Sequence, residues 1–335
     1  GKNEIFASFS SKVDKVEYVK RDTPSDNDTC HGLNFSDVLS DDAKVFGFYD
    51  PLNPLENNSP VVEFIKNIKI DYLNYIVDIN KLENNKIIQQ ELNDLRSNFN
   101  SKELQVNLLV LESPNLITEK VKNYGLDGVN IIYTCNVSID NIVINITTVH
   151  SDNWNPSWIT TFTVTASESE LDTISRVQEY VNYTIIQAFY LGPNVDYSAS
   201  PDKVNSYNGT VNSLFKRLNG MDFKKLIWGF GLSGIIKANP GSITGLMKNN
   251  DTCAGGFYIW PWKEIRNTAL TDMCIAKNAE GWTRNFDTNS STLQNNKVPV
   301  DLFAYEDLES LYHKFKWVTN NKFAGISIAN LAFDS

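Results

Sequence analysis

The chain is poor in the residues that build metal and redox sites. Its 335 residues include three histidines and four cysteines, and no two cysteines form a CxxC pair. The histidines, His31, His150 and His313, are far apart and lack the spacing of metal ligands. We therefore expect no metal and no cofactor. The even number of cysteines favours two disulfides over a zinc or thiol redox motif.

Basic residues are also scarce, with 30 Lys and Arg against 40 Asp and Glu and a net charge of −10. An acidic chain without a clustered basic face is poorly suited to nucleic acid or to an anionic membrane surface. The sequence also lacks a run of about 18 apolar residues, so it predicts no membrane span. We expect a partner that is neutral or basic.

Asparagine is abundant, and many of its positions form Asn-x-Ser/Thr sequons. Sequons mark surface glycosylation sites in secreted proteins, although an Asn-rich chain also contains some by chance. Together with the cysteines they favour a secreted glycoprotein, and the absence of an apolar leader fits a chain whose signal peptide has been removed. The candidate glycosylation sites are Asn27, Asn34, Asn57, Asn136, Asn145, Asn208, Asn250 and Asn289.

Eight short apolar runs follow a polar, aperiodic arm that covers residues 1–41. Helix-like stretches lie between several runs, and strands that alternate with helices pair in parallel. Near-continuous apolar strands fit a sheet that is buried on both faces. The predicted fold class is α/β, a (β/α)8 barrel, with a doubly wound open sheet as the alternative. The runs are 45–49, 72–77, 106–111, 128–133, 160–164, 183–189, 226–230 and 325–331.

Residues 235–299 break this rhythm with Gly, Asn, Pro and an aromatic segment. We expect a small insertion between strands seven and eight, which leaves residues 42–234 and 300–335 for the barrel. Cys253 and Cys274 both lie in the insertion. This favours a Cys253–Cys274 disulfide and leaves Cys30 to pair with Cys135. Four cysteines allow three pairings, so the other two stay open.

Several segments resemble family-18 glycoside hydrolases, the chitinase family. The segment from Asp127 to Thr134, DGVNIIYT, resembles the family's DGxDxDxE strand. Residues 181–190 and 226–231 are similar to its sixth and seventh strands, and residues 304–331 to its YDDxxS helix and eighth strand. Residues 256–265 loosely resemble part of the small α+β domain of the family. The resemblance implies a TIM barrel with a small α+β insertion between strands 7 and 8.

The residues on which the family's chemistry depends are replaced at the matching positions. The resemblance implies substrate-assisted hydrolysis, in which a carboxylic acid protonates the leaving oxygen. Thr134 stands at the acid position, and a threonine hydroxyl does not serve as a general acid at neutral pH. We therefore expect a catalytically inactive member of the family. The replaced positions are Asn130, Ile132, Thr134, Phe189, Tyr190 and Ala329.

Carboxylates near the predicted strand ends leave open an active hydrolase with a rebuilt acid. Barrel enzymes place their chemistry at the carboxyl ends of the strands. Asp and Glu are also common caps and turn residues there, and we favour that role. The candidates are Asp50, Asp78, Glu112 and Glu168.

Binding of a sugar without cleavage requires aromatic platforms, although large aromatics more often fill cores. The aromatic binding candidates are Phe48, Tyr133, Trp154 (in the loop expected after the fourth strand), Tyr190 and Trp260. Because Ala329 replaces the family's tryptophan platform, we favour a secreted, non-enzymatic protein with a protein partner, of the signalling or immune-modulating type. A lectin for chitin-type or N-acetylglucosamine glycans is the alternative.

Overall fold

The computed structural model describes residues 38–50, 70–98, 105–110, 117–133, 137–151, 153–189, 195, 203, 207–236, 241–248, 257–272, 274–287, 290–297 and 303–331. In chain order the strands are β1 (Lys44–Tyr49), β2 (Tyr72–Asp78), β3 (Gln105–Val110), β4 (Gly128–Ile132), β5 (Ile159–Thr165), β6 (Tyr183–Gln187), β7 (Leu226–Gly231), β8 (Ser233–Ile236), β9 (Met247–Lys248), β10 (Tyr258–Pro261), β11 (Leu270–Asp272), β12 (Ile275–Ala276), β13 (Trp282–Asp287), β14 (Ser290–Asn295), β15 (Phe303–Tyr305) and β16 (Gly325–Ala329). The helices are α1 (Lys86–Asn98), α2 (Ile117–Asn123), α3 (Ile139–Ser151), α4 (Glu168–Leu171), α5 (Ile174–Val177), α6 (Tyr207–Arg217), α7 (Trp262–Thr268) and α8 (Leu308–Asn320).

Eight parallel strands form a closed barrel in the order β1-β16-β7-β6-β5-β4-β3-β2. The pairing of β1 with β16, in which Lys44 faces Gly325, closes the sheet. Each strand coincides with one of the eight apolar runs within about two residues, so the predicted barrel is confirmed and the open sheet is excluded.

Side chains of each barrel strand alternate between the interior and the surrounding helices. The interior holds an apolar cluster of Phe46, Phe48, Ile185, Ile227 and Ala329. The opposite faces of the same strands contribute to a larger core under the helices. Burial on both faces explains why the strands are near-continuously apolar in sequence.

The sequence pattern predicts no helix over residues 139–151 and a single helix over residues 171–181, and the structure differs in both regions. α3 is rich in Ile, Val and Thr, which lower helix propensity, and packing of Ile142, Ile146 and Val149 into the core outweighs this preference. Residues 171–181, predicted as one helix, instead contain the end of α4, the single turn α5 and a 3-10 turn. Ser167 caps α4 by accepting a hydrogen bond from the Glu170 amide.

A six-stranded antiparallel sheet lies in the chain between β7 and β16, in the order β13-β14-β15-β8-β10-β9. The Trp260 ring packs on those of Trp282 and Phe303, with centroid distances of 5.4 and 4.8 Å. The sheet runs from Ser233 to Tyr305, beyond both ends of the predicted segment 235–299. The division into an arm, a barrel and an insertion domain stays a prediction.

Within the described ranges, no helix is long and apolar enough to cross a membrane. The same residues contain no group of three or more His, Cys, Asp or Glu side chains that could hold a metal ion.

Candidate functional site

The carboxyl ends of the parallel barrel strands meet at one end of the barrel, where enzymes of this architecture place their chemistry. We call this end the mouth, and its strand ends are Tyr49, Asp78, Val110, Ile132, Thr165, Gln187, Gly231 and Ala329. Four of the six replaced positions are described. Thr134 and Tyr190 lie outside the described residues.

Asn130 lies in the barrel interior, where its side chain is hydrogen-bonded. Its side chain is buried, and its Oδ1 accepts hydrogen bonds from the Oγ1 atoms of Thr161 and Thr163 on β5, both at 2.7 Å. These bonds join neighbouring strands, so Asn130 acts as an interior link rather than as a group directed at a ligand.

Several interior-facing positions near the mouth carry apolar side chains. Ile132 ends β4 on the same side as Asn130 and is partly buried, and Phe189 and Ile76 pack against the interior cluster that contains Ala329. Gly231 makes room for the Phe189 ring, because a Cβ at this glycine would lie 3.0 Å from the ring carbons. Positions 132, 189 and 329 therefore each carry a side chain without a hydrogen-bonding group, and Phe189 packs against the cluster that contains Ala329.

Two of the strand-end carboxylates have structural roles. Asp78 caps the following 3-10 turn by accepting a hydrogen bond from the Asn80 amide at 2.9 Å. Glu168 forms an exposed ion pair with Arg217 at 2.6 Å. Glu112 lies outside the described residues.

Asp50 remains as a carboxyl group beside the mouth. Its amide donates to Asn330 Oδ1 at 3.0 Å, and Asn330 Nδ2 donates to the Asp50 carbonyl at 3.1 Å. This reciprocal pair fixes the Asp50 backbone next to the end of β16. Burial raises the pKa of the Asp50 carboxyl above its ordinary value.

Two expected aromatic platforms are inaccessible. Phe48 is fully buried in the barrel interior, and Trp260 is fully buried in the core of the second sheet. Neither offers a surface to a ligand, because packing of the two cores takes up both rings.

The remaining platforms do not converge. The sequence places Trp154 after the fourth strand, but α3 intervenes and Trp154 lies in the short segment between α3 and β5, which begins at Ile159. It therefore lies at the amino-terminal end of the barrel, opposite the mouth, where it packs edge-on against Trp158. Tyr133 follows β4 and is partly buried, with its ring edge-on to Phe162. Tyr190 lies outside the described residues.

Solved structures share this architecture. An immunomodulatory active chitinase from Trichuris suis is 12% identical, with a TM-score of 0.61 over 87% of this chain and 92% of that chain. A chitinase from Bacteroides thetaiotaomicron is 13% identical, with a TM-score of 0.59 over 87% and 90%. A GH18 chitinase from Flavobacterium johnsoniae is 14% identical, with a TM-score of 0.54 over 88% and 89%.

The chain has the fold of the family-18 chitinases. The resemblance read from the sequence is thus confirmed for the fold. No protein-family model and no curated protein sequence matches the chain, and at 12–14% identity the structural likeness shows the chitinase fold alone.

A second concave region, which the sequence did not reveal, adjoins the mouth of the barrel. We call it the sheet–helix cleft, because it lies between the second sheet and the helices α6 and α8. The cavity volume that a water molecule can enter is only about 20 Å³. The cleft is lined by Phe189, Tyr207, Gly231, Ser233, Ile235, Ser290, Ser291, Ala304, Tyr305, Glu306 and Lys314. Tyr305 and Glu306 belong to the segment YEDLES, residues 305–310, which carries part of the resemblance but gives no sign of a cavity.

Only some of the cysteines and sequons that the sequence predicts to be modified lie within the described residues. Cys274 is buried and is not a free thiol, whereas Cys30, Cys135 and Cys253 lie outside, so both disulfide pairings stay predictions. Asn145 is on α3 and partly buried, and Asn208 is in α6. The other six sequons lie outside the described residues.

Replacing Asn130 with leucine should lower the free energy of unfolding by about 2–4 kcal/mol, because two buried threonine hydroxyls lose their acceptor. Urea denaturation followed by circular dichroism measures the effect. Asn285→Leu, at an exposed position of β13, is the matched control and should change stability by less than about 0.5 kcal/mol. Equal effects of the two substitutions would contradict the assigned role of Asn130.

Proposed function

We propose that this chitinase-fold protein is a secreted, non-hydrolytic binding protein that engages a protein partner at the mouth. The observation that carries the proposal is that the positions matching the family's site hold the apolar side chains of Ile132, Phe189 and Ala329. Family-18 hydrolysis depends at the matching positions on groups that orient the acetamido group and support the sugar ring.

Several functional groups that family-18 hydrolysis requires are absent at the matching positions of this chain. Ile132 accepts no hydrogen bond from an acetamide, and Phe189 has no hydroxyl to hold an acetamido oxygen. Thr134 stands at the acid position in the sequence, and general acid catalysis alone contributes roughly 10²–10⁴-fold. Burial raises the pKa of the Asp50 carboxyl, but one carboxyl does not replace the orienting groups.

The positions of the aromatic candidates favour a protein partner over a glycan, because most of them are buried or lie away from the mouth. Phe48 and Trp260 are buried, and Trp154 lies at the opposite end of the barrel. The partly exposed side chains of Ile76, Ile132 and Phe189 suit an apolar side chain of a partner. The net charge of −10 favours a neutral or basic surface around that side chain.

One structural neighbour, from Trichuris suis, is described as an immunomodulatory active chitinase. An immune-modulating role for the present chain is part of our proposal, as are secretion, glycosylation and the disulfides Cys30–Cys135 and Cys253–Cys274. These features fit together, since they all belong to proteins that act outside the cell.

The proposal is tested by a matched pair of substitutions in screens of displayed extracellular protein domains. Ile132→Asp places a charge at the mouth, and Ile144→Asp places one on α3, where Ile144 is 57% exposed. A partner of the mouth should bind Ile132→Asp at least about tenfold more weakly and Ile144→Asp as tightly as the parent protein. Circular dichroism confirms that both variants are folded.

Titration with chitin oligosaccharides, followed by tryptophan fluorescence, tests the lectin alternative. We expect no saturable change. A saturable response that Ile132→Asp abolishes would establish glycan binding at the mouth. In the protein screen, a partner that binds Ile132→Asp and Ile144→Asp equally tightly would contradict the mouth as its binding site.

A further inference from the structure

We propose that Asn219, in the corner between α6 and β7, is a site of spontaneous deamidation in the folded protein. The chain contains two Asn-Gly pairs, Asn208–Gly209 and Asn219–Gly220. A glycine after asparagine favours this reaction, because the absence of a Cβ lets the glycine nitrogen reach the asparagine side chain. The sequence alone does not distinguish the two pairs, whereas the structure does. The site does not depend on the function proposed for the mouth.

The Asn219–Gly220 pair is accessible to water, since both residues are exposed. Gly220 has a φ of +83°, and no atom lies within 4 Å of a Cβ placed there, so the space around it is open. Among the described residues, neither the Asn219 side-chain amide nor the Gly220 backbone N–H has a hydrogen-bond partner. No bond has to break before the two groups meet.

The Asn208–Gly209 pair lies instead in the first turn of α6, which begins at Tyr207. A planar five-membered ring through the Gly209 nitrogen is incompatible with helical torsion angles at Asn208. Tyr207 is buried, and its ring centroid lies 3.8 Å from Lys314 Nζ, which holds the start of the helix in place. Asn208 therefore reacts only when this turn of the helix opens.

The reaction requires only water as a co-reactant. The Gly220 backbone nitrogen loses its proton to water or hydroxide and attacks Cγ of Asn219. A bond forms between this nitrogen and Cγ, the bond from Cγ to Nδ2 breaks, and ammonia leaves. Water then opens the resulting succinimide ring, at Cγ to give aspartate or at the backbone carbonyl carbon to give isoaspartate. An amide and water become a carboxylate and ammonium, and nothing is oxidised or reduced.

Either product changes the corner that joins α6 to β7. The new carboxylate lies just after the carboxyl-terminal end of α6, where the helix dipole disfavours negative charge. In isoaspartate the main chain is also one carbon longer between two fixed points. Leu218 is fully buried on one side, and Asp222 on the other exchanges backbone hydrogen bonds of 2.9 and 3.0 Å with the Gln178 side chain. We therefore expect the product to unfold at a lower temperature.

The experiment incubates the folded protein at mildly alkaline pH and follows both Asn-Gly peptides by mass spectrometry. The Asn219 peptide should gain the mass that corresponds to replacement of NH2 by OH. It should convert at least about tenfold faster than the Asn208 peptide, because local opening of the helix limits the latter. In urea-unfolded protein the two peptides should convert at similar rates. Conversion should accelerate with rising pH, since the attacking nitrogen must lose a proton.

Two matched variants locate the site. Asn219→Gln should lose most of the isoaspartate that the parent protein accumulates, because glutamine would have to form a less favourable six-membered ring. Asn208→Gln should accumulate as much isoaspartate as the parent protein does. Thermal unfolding reports the consequence. Incubation should lower the unfolding temperature of the parent protein and leave that of Asn219→Gln unchanged.

The proposal is overturned if the Asn219 peptide of the folded protein keeps its mass over a period in which the same peptide converts in urea. It is also overturned if Asn208 converts as fast as Asn219 in the folded protein, or if Asn219→Gln accumulates as much isoaspartate as the parent protein. An unchanged unfolding temperature of protein that carries isoaspartate at position 219 would contradict the effect assigned to the lengthened corner.

Discussion

Replacing Arg284 with methionine should lower the free energy of unfolding by about 3–5 kcal/mol. Arg284 lies on β13, and its side chain is 1% exposed. Nε donates to Asp307 Oδ2 at 2.9 Å and Nη2 donates to Glu309 Oε2 at 2.6 Å. Without the guanidinium group, two carboxylates at the start of α8 would be buried with no cation between them.

The measurement is urea denaturation of the parent protein and the variant at neutral pH. The matched control is Arg96→Met, which removes a more exposed ion pair with Asp127 and should cost at most about 1 kcal/mol. Adding Asp307→Asn and Glu309→Gln to Arg284→Met should recover part of the loss. A stability of Arg284→Met within about 1 kcal/mol of the parent would contradict the role assigned to the cluster.

Replacing Gly325 with alanine should cost more than about 4 kcal/mol, or prevent folding, because it blocks closure of the barrel. Gly325 begins β16 opposite Lys44 of β1. A Cβ at this position would lie 1.9 Å from the Lys44 carbonyl oxygen. The obstructing atom belongs to the backbone of a paired strand, so a rotamer change does not relieve the clash.

Gly220→Ala is the control for this prediction. Gly220 has a φ of +83°, but no atom lies within 4 Å of a Cβ placed there. Its substitution should cost only about 1–2 kcal/mol, from the left-handed backbone alone. Thermal unfolding compares the two variants. Similar losses in both would show that close approach of β1 and β16 is not the reason for Gly325.

The barrel was predictable from the sequence because its strands are buried on both faces. The runs that became β1, β4 and β7 are apolar at nearly every position, and this pattern is independent of the details of packing. α3 was harder to predict, because the β-branched residues in Ile139–Ser151 favour strands locally. Only tertiary contacts to its buried face make the helix preferable.

The candidate site was less predictable, because exposure depends on neighbours distant in sequence. Phe48 and Trp260 have the aromatic side chains that sugar platforms require, but both are buried by other elements of the fold. Trp154 follows the fourth strand in sequence, yet α3 carries the chain to the other end of the barrel. The ion pair of Glu306 with Lys314, two side chains of the sheet–helix cleft, depends on how α8 follows β15, which no short motif encodes.

The measurement that tests the central claim most directly is turnover of a fluorogenic chitobioside by the purified protein. We predict no hydrolysis above the rate in buffer, and none after Thr134→Glu restores an acid at one position alone, because Ile132, Phe189 and Ala329 still provide no orienting groups. Saturable turnover by the parent protein that is lost on Asp50→Asn or Glu112→Gln would contradict the account. It would establish an active hydrolase with a rebuilt acid.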